Sequence, residues 1–253
     1  LQLDAGERAP ATSTATTSYA PPLITRFEGP GASEASTRGG QRVTIVGDHF
    51  GNRSTTIDSV RYGDLGEPEF DVTPSCSMLE AHTKIVCTTT AGAGGVAIEW
   101  VVTIDGQPSV APLTSAAAPR VDGVELFNRT DGASLPHASV AGGDGLRVRG
   151  EHFADSARRI DWVRYGVVGA ELEALECAVV EAHTLIECTT PPGGGIALPL
   201  TLSISGQPSV LTRTSAPPSI SHAPPRLVSI APARPSRAGG GRLTLSGVAL
   251  GPP

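Results

Sequence analysis

Gly39-Gly40-Gln41-Arg42-Val43-Thr44-Ile45-Val46-Gly47-Asp48-His49-Phe50 returns 103 positions later as Gly142-Gly143-Asp144-Gly145-Leu146-Arg147-Val148-Arg149-Gly150-Glu151-His152-Phe153. Three further blocks flank this one in the same order. Val60-Arg61-Tyr62-Gly63 returns as Val163-Arg164-Tyr165-Gly166. Glu80-Ala81-His82-Thr83 with Cys87-Thr88-Thr89 returns as Glu181-Ala182-His183-Thr184 with Cys188-Thr189-Thr190. Gly106-Gln107-Pro108-Ser109-Val110 returns as Gly206-Gln207-Pro208-Ser209-Val210. Four blocks in one order define a tandem repeat of roughly 100 residues. The chain divides into 1–20, the tail of a preceding repeat, two complete repeats at 21–118 and 119–222, and 223–253, the start of a further one. Arg226-Leu227-Val228-Ser229-Ile230 and Gly239-Gly240-Gly241-Arg242-Leu243-Thr244-Leu245-Ser246-Gly247 carry that last assignment, so the sequence reads as a window on a longer array.

Within each repeat the apolar residues alternate or form short β-branched runs. Arg42 to Val46 alternates and stops at Gly47, Ile57 to Tyr62 stops at Gly63, and Ala97 to Ile104 ends in the Asp105-Gly106 turn. Ile160 to Tyr165 and Ala197 to Ile204 repeat the pattern. Period two, punctuated by Gly, Pro and Asp, predicts short strands and an all-β sandwich per repeat. The acidic stretch from Gly169 to Glu176 reads as a loop or a single turn.

Composition narrows the function classes. The 253 residues include 30 Gly and 22 Pro, yet 39% are hydrophobic, too many for a disordered linker. Only 4% are aromatic, so the cores must be built from Val, Ile and Leu. No stretch approaches the ~20 apolar residues of a membrane-spanning helix. Nineteen basic against 25 acidic residues, a net charge of −6, argue against a nucleic-acid partner, which needs a basic face. All the basic residues except Lys84 are arginine.

The four cysteines form two equally spaced pairs, Cys76/Cys87 and Cys177/Cys188. Four cysteines allow three connectivities, and one pair per repeat at one spacing favours bridges within repeats. A metal site using two thiolates with His82 or His183 is the rival; no CxxC accompanies them, so no metal is expected. Disulfides imply an oxidising, extracellular compartment. Asn52-Arg53-Ser54 and Asn128-Arg129-Thr130 are glycosylation sequons, with Asn52 and Asn128 as the acceptors.

Gly-Gly, an alternating strand, Gly, His-Phe, then Tyr-Gly and a cysteine pair resembles the immunoglobulin-like plexin and transcription-factor domain, IPT or TIG. Cys188-Thr189-Thr190-Pro191-Pro192-Gly193 is similar to that family's Cys-x-x-Pro-Pro-Gly close, whereas Cys87-Thr88-Thr89-Thr90-Ala91-Gly92 lacks the prolines. The resemblance covers nearly the whole chain and implies tandem immunoglobulin-like β-sandwiches. It also implies the cell-surface branch of the family, where such cysteine pairs occur, and not the intracellular DNA-binding branch.

No constellation for catalysis is visible: there is no Gly-x-Ser-x-Gly elbow, and Gly92-Ala93-Gly94-Gly95 and Gly193-Gly194-Gly195 lack the Lys-Ser/Thr of a phosphate loop. They read as loop glycines. Glu67, Glu69, Glu171 and Glu173 read as solvated. The recurring His49, His82, His152 and His183 fit a structural role at a turn better than a ligand role. Ala117-Ala118-Pro119 joins the two full repeats with almost no slack, and proline resists bending. The expectation is a non-enzymatic segment of a large extracellular glycoprotein, a rod of repeats within a surface fibre. It takes no cofactor, and its partners are other repeats, neighbouring chains and attached glycans. The Ala/Gly/Pro/Arg bias resembles green-algal surface proteins, and a ciliary fibre of the mastigoneme kind is the most specific form of this expectation. A plexin-like adhesion ectodomain and an accessory module of a secreted polysaccharide enzyme are the alternatives.

Overall fold

The structure is a computed structural model and describes residues 18–168, 171–210, 217–231 and 240–251. The first sandwich comprises β1 (Leu23–Glu28), β2 (Arg42–Asp48), β3 (Ile57–Asp64), β4 (Glu67–Asp71), β5 (Ser77–Glu80), β6 (Lys84–Thr88), β7 (Ile98–Ile104) and β8 (Gln107–Pro108). One sheet runs β1-β2-β6-β5 and the other β4-β3-β7-β8, all antiparallel. The second sandwich comprises β9 (Arg120–Phe127), β10 (Ser134–Leu135), β11 (Gly145–Glu151), β12 (Ile160–Tyr165), β13 (Leu172–Glu173), β14 (Leu175–Glu181), β15 (Leu185–Thr189), β16 (Leu198–Ile204), β17 (Gln207–Pro208) and β18 (Ser219–Ile220). Its sheets run β10-β9-β11-β15-β14 and β13-β12-β16-β17, with β18 paired to β16. The fold is all-β, with two antiparallel sandwiches in tandem.

Alternation on the strands builds the cores. On β7, Ile98, Trp100, Val102 and Ile104 are buried and the residues between them are not. They pack with Val60 and Tyr62 of the neighbouring β3 and with Val43, Ile45, Phe50 and Ile85 from the facing side of the sandwich. Leu146, Val148, Phe153, Val163, Tyr165, Ile186, Leu200 and Leu202 form a separate core in the second sandwich. The acidic stretch read as a loop or turn departs from expectation. Gly169 and Ala170 lie outside the described residues, but Leu172–Glu173 and Leu175–Glu181 are strands, with Arg164 donating to Glu173 from β12. Cross-strand pairing there outweighs the low β-propensity of glutamate.

The glycine ending the repeated motif is set by close approach of backbone. A Cβ on Gly47 would lie 1.9 Å from the Leu23 carbonyl oxygen, one on Gly150 1.9 Å from that of Arg120, and one on Gly247 2.2 Å from that of Arg226. Each sits where the register between the first two strands of its repeat slips. The third pair, β19 (Arg226–Ala231) with β20 (Thr244–Val248), reproduces this slipped register, but both of its strands are exposed along their whole length.

The two cores differ at one polar position. In the first, the Tyr62 hydroxyl donates to the Thr90 carbonyl at 2.8 Å and accepts from the Thr90 N–H at 2.9 Å. In the second, Pro191 takes the place of Thr90 and has no N–H to give. The Tyr165 hydroxyl and both ring nitrogens of His222, which is 1% exposed, have no hydrogen-bond partner among the described residues. Burial pushes the His222 pKa down, with Asp144 pulling weakly the other way. A histidine with a lowered folded pKa favours folding when neutral, so stability is lost as pH falls through the unfolded value of about 6.5. The second sandwich is expected to lose amide-exchange protection on acidification, with the loss reduced in His222→Leu. An identical pH response in that variant would contradict the assignment.

Candidate functional site

The site that the geometry builds is the junction between the two sandwiches. Before β12 the chain makes a single 3-10 turn, Ala157–Arg159, with the Ser156 side chain accepting from the Arg158 N–H. This turn delivers Arg159 to the far end of the first sandwich, where β3 ends in Asp64 and β4 carries Glu69 and Phe70. Arg159 Nη1 donates to both Asp64 carboxylate oxygens at 3.1 Å, and Nη2 pairs with Glu69. The guanidinium carbon stands 5.3 Å from the Phe70 ring centroid, a cation–π contact. The Arg159 side chain is 8% exposed, whereas those of Asp64 and Glu69 are 52% and 47% exposed. Solvent therefore screens the pair, and its worth is on the order of 1 kcal/mol rather than that of a buried bridge.

Two further contacts complete the junction. Gln207 Nε2 donates to the Ala116 carbonyl at 3.2 Å, tying the first residue of β17 to the residue just before the connecting segment. Of the glycines read from sequence as loop glycines, those of the first sandwich form the floor. A Cβ on Gly92 would meet Asp155 Oδ2 at 2.7 Å, and one on Gly95 would meet the Ser205 carbonyl oxygen at 2.9 Å. Beside the clamp lies a polar cleft of about 460 Å³ lined by Asp64, Glu67, Phe70, Asp155, Ser156 and Arg158 among others. Glu69 is thus engaged by Arg159 while its side chain stays 47% exposed, in line with the reading of it as solvated.

The four motif histidines occupy left-handed backbone, with φ of 66° at His49, 67° at His82, 62° at His152 and 67° at His183. Histidine tolerates this region better than β-branched residues do. The paired turns are knitted by backbone: the Phe50 N–H donates to the His82 carbonyl, and the His82 N–H to that of Gly51. Phe153, His183 and Ala154 repeat the arrangement. The side chains then diverge. His49 and His82 are exposed, facing a hollow of about 420 Å³ at the outer end of the first sandwich. His152 is half-buried and His183 only 8% exposed, at the end that meets the first sandwich. Thr56 stands in the first sandwich where Arg159 stands in the second.

Cys76, immediately before β5, bridges to Cys87 of β6, and Cys177 of β14 bridges to Cys188 of β15, so that each bond staples a β5–β6 or β14–β15 pair. Asn52 is exposed, its Oδ1 accepting from the Ser54 N–H, and the half-buried Asn128 accepts likewise from Thr130. Both make the Asx turn common in surface loops. Among the described residues no group of three His, Cys, Asp or Glu side chains is placed to hold a metal ion. The disulfides are the chemistry of an oxidising compartment, so the segment is secreted or extracellular. Sequence reasoning missed Arg159. The available signal was a charge in one copy, opposite Thr56, within otherwise matched blocks.

No protein-family model matches the chain, and no curated protein matches it. Solved structures do. SGBP-B from a complex xyloglucan utilization locus in Bacteroides uniformis is 18% identical over 79% of this chain and 49% of that one, with a TM-score of 0.29. The plexin A4 extracellular region is 14% identical over 88% of this chain and 20% of that one, with a TM-score of 0.31. The chain spans about half of the first and a fifth of the second. The assignment of the fold rests on the sheets themselves.

Proposed function

We propose that this chain is a structural segment of an extracellular glycoprotein, in which IPT/TIG-type sandwiches are stacked end to end as a semi-rigid rod within a surface assembly. The observation that carries this reading is the Arg159 clamp: one sandwich spends a nearly buried guanidinium on orienting its neighbour. The short connection through Ala117-Ala118-Pro119 supports it, since proline fixes its own φ and restrains the residue before it. The slipped β19–β20 pair supports it too. A lone hairpin is marginal in water, and its exposed Leu227, Ile230 and Leu245 correspond to a core face. The segment is non-catalytic, takes no cofactor, binds no nucleic acid, and has other sandwiches as its partners. A ciliary-surface fibre is the form its Ala/Gly/Pro/Arg composition favours.

Small-angle scattering on the 253-residue chain tests this. An elongated pair is expected, and Arg159→Glu, which sets a third carboxylate against Asp64 and Glu69, should broaden the distance distribution while leaving both cores folded. A radius of gyration near ~18 Å, that of one compact globule of this length, would sink the rod.

A further inference from the structure

The motif histidines occur twice, once beside the hollow at the outer end of the first sandwich and once where the two sandwiches meet, and among the described residues only the second pair is withdrawn from water. His152 Nδ1 and His183 Nδ1 are buried and have no hydrogen-bond partner among the described residues. A neutral imidazole tolerates this by carrying its proton on Nε2, whereas protonation forces a second N–H onto a nitrogen with no acceptor. We propose that the junction is an acid-sensitive hinge, seated while His152 and His183 are neutral and released when they take up protons.

The charges around the pair define the sign. His152 is faced by Glu151 and Arg120 of its own sandwich and by Arg38 of the first. His183 is faced by Asp155, by His152 and again by Arg38. Burial is the largest influence on both and pushes both pKa values down. Arg38 pushes in the same direction, and Glu151 and Asp155 oppose it. The seated state therefore binds protons less readily than the separated state, where histidine titrates near its ordinary ~6.5. By linkage, seating is complete at higher pH and weakens as pH falls through that value.

The inference rests on the reading that the junction holds the sandwiches in line, and the experiment separates the two. Scattering is recorded on the full chain between pH of about 7.5 and about 5.5, spanning the histidine range. The His222→Leu background is used so that acid loss of the second core does not mimic hinge opening. The distance distribution should broaden on acidification, recover on return, and lose its pH response in His152→Gln/His183→Gln. Should that variant fold poorly, Arg38→Gln supplies the second arm, and removing the cation that disfavours protonation should move the midpoint to lower pH. A broadening unchanged in these variants, or none at all in an elongated chain, overturns the hinge. A compact chain at pH of about 7.5 instead removes the rod itself.

Discussion

Gly150→Ala is expected to cost the second sandwich roughly 3 kcal/mol, the upper range for forcing extra volume into a packed site. A Cβ there would stand 1.9 Å from the Arg120 carbonyl oxygen and 2.5 Å from Phe153 Cζ. Phe153 is fully buried, and the Arg120 carbonyl belongs to the strand that β11 must pair with. Relief therefore requires opening the β9–β11 register or expelling Phe153 from the core. Gly47→Ala should do the same in the first sandwich through Leu23 and Phe50. For a unit of about 100 residues such a loss lowers its melting transition by more than ~10 °C. A drop of only a few degrees in calorimetry would show that the strands absorb the methyl group by shifting.

Removal of the Cys177–Cys188 bridge, as the double alanine variant, should also cost about 3 kcal/mol, because the closed loop is short and the chain-entropy gain is correspondingly modest. Cys188 is 4% exposed and packs in the second core, while Cys177 lies against it. The effect should stay local. The two cores share no residues, so the first sandwich, with Cys76–Cys87 intact, should keep its own unfolding transition. Non-reducing peptide mapping that joined Cys76 to Cys188, or a variant that melted both sandwiches together, would contradict this picture.

How much was legible beforehand varied with the range of the interactions. The tandem organisation, the sandwich class, the strand runs around Val43, Val60, Ile98 and Leu200, and the candidate cysteine pairs were readable because they are local patterns. Alternation reports a buried face, and equal spacing reports a repeated hairpin. The stretch beyond Ala170 was misread because its strands depend on partners in β12 and β15 that no local window contains.

That the protein is a string of all-β modules, each with its own cysteine pair, is written along the chain in hydrophobic periodicity, turn residues and repetition. What happens between modules follows from how the folded units meet. Arg159 meets Asp64 and Glu69 across separations of 95 and 90 positions, and no periodicity encodes such a contact. His82 and His183 are the same residue in the same motif with the same backbone, yet one is exposed and the other buried. What separates them is their surroundings, and surroundings arise when surfaces distant in sequence close on one another and exclude water, a property of the assembled chain and not of any segment of it.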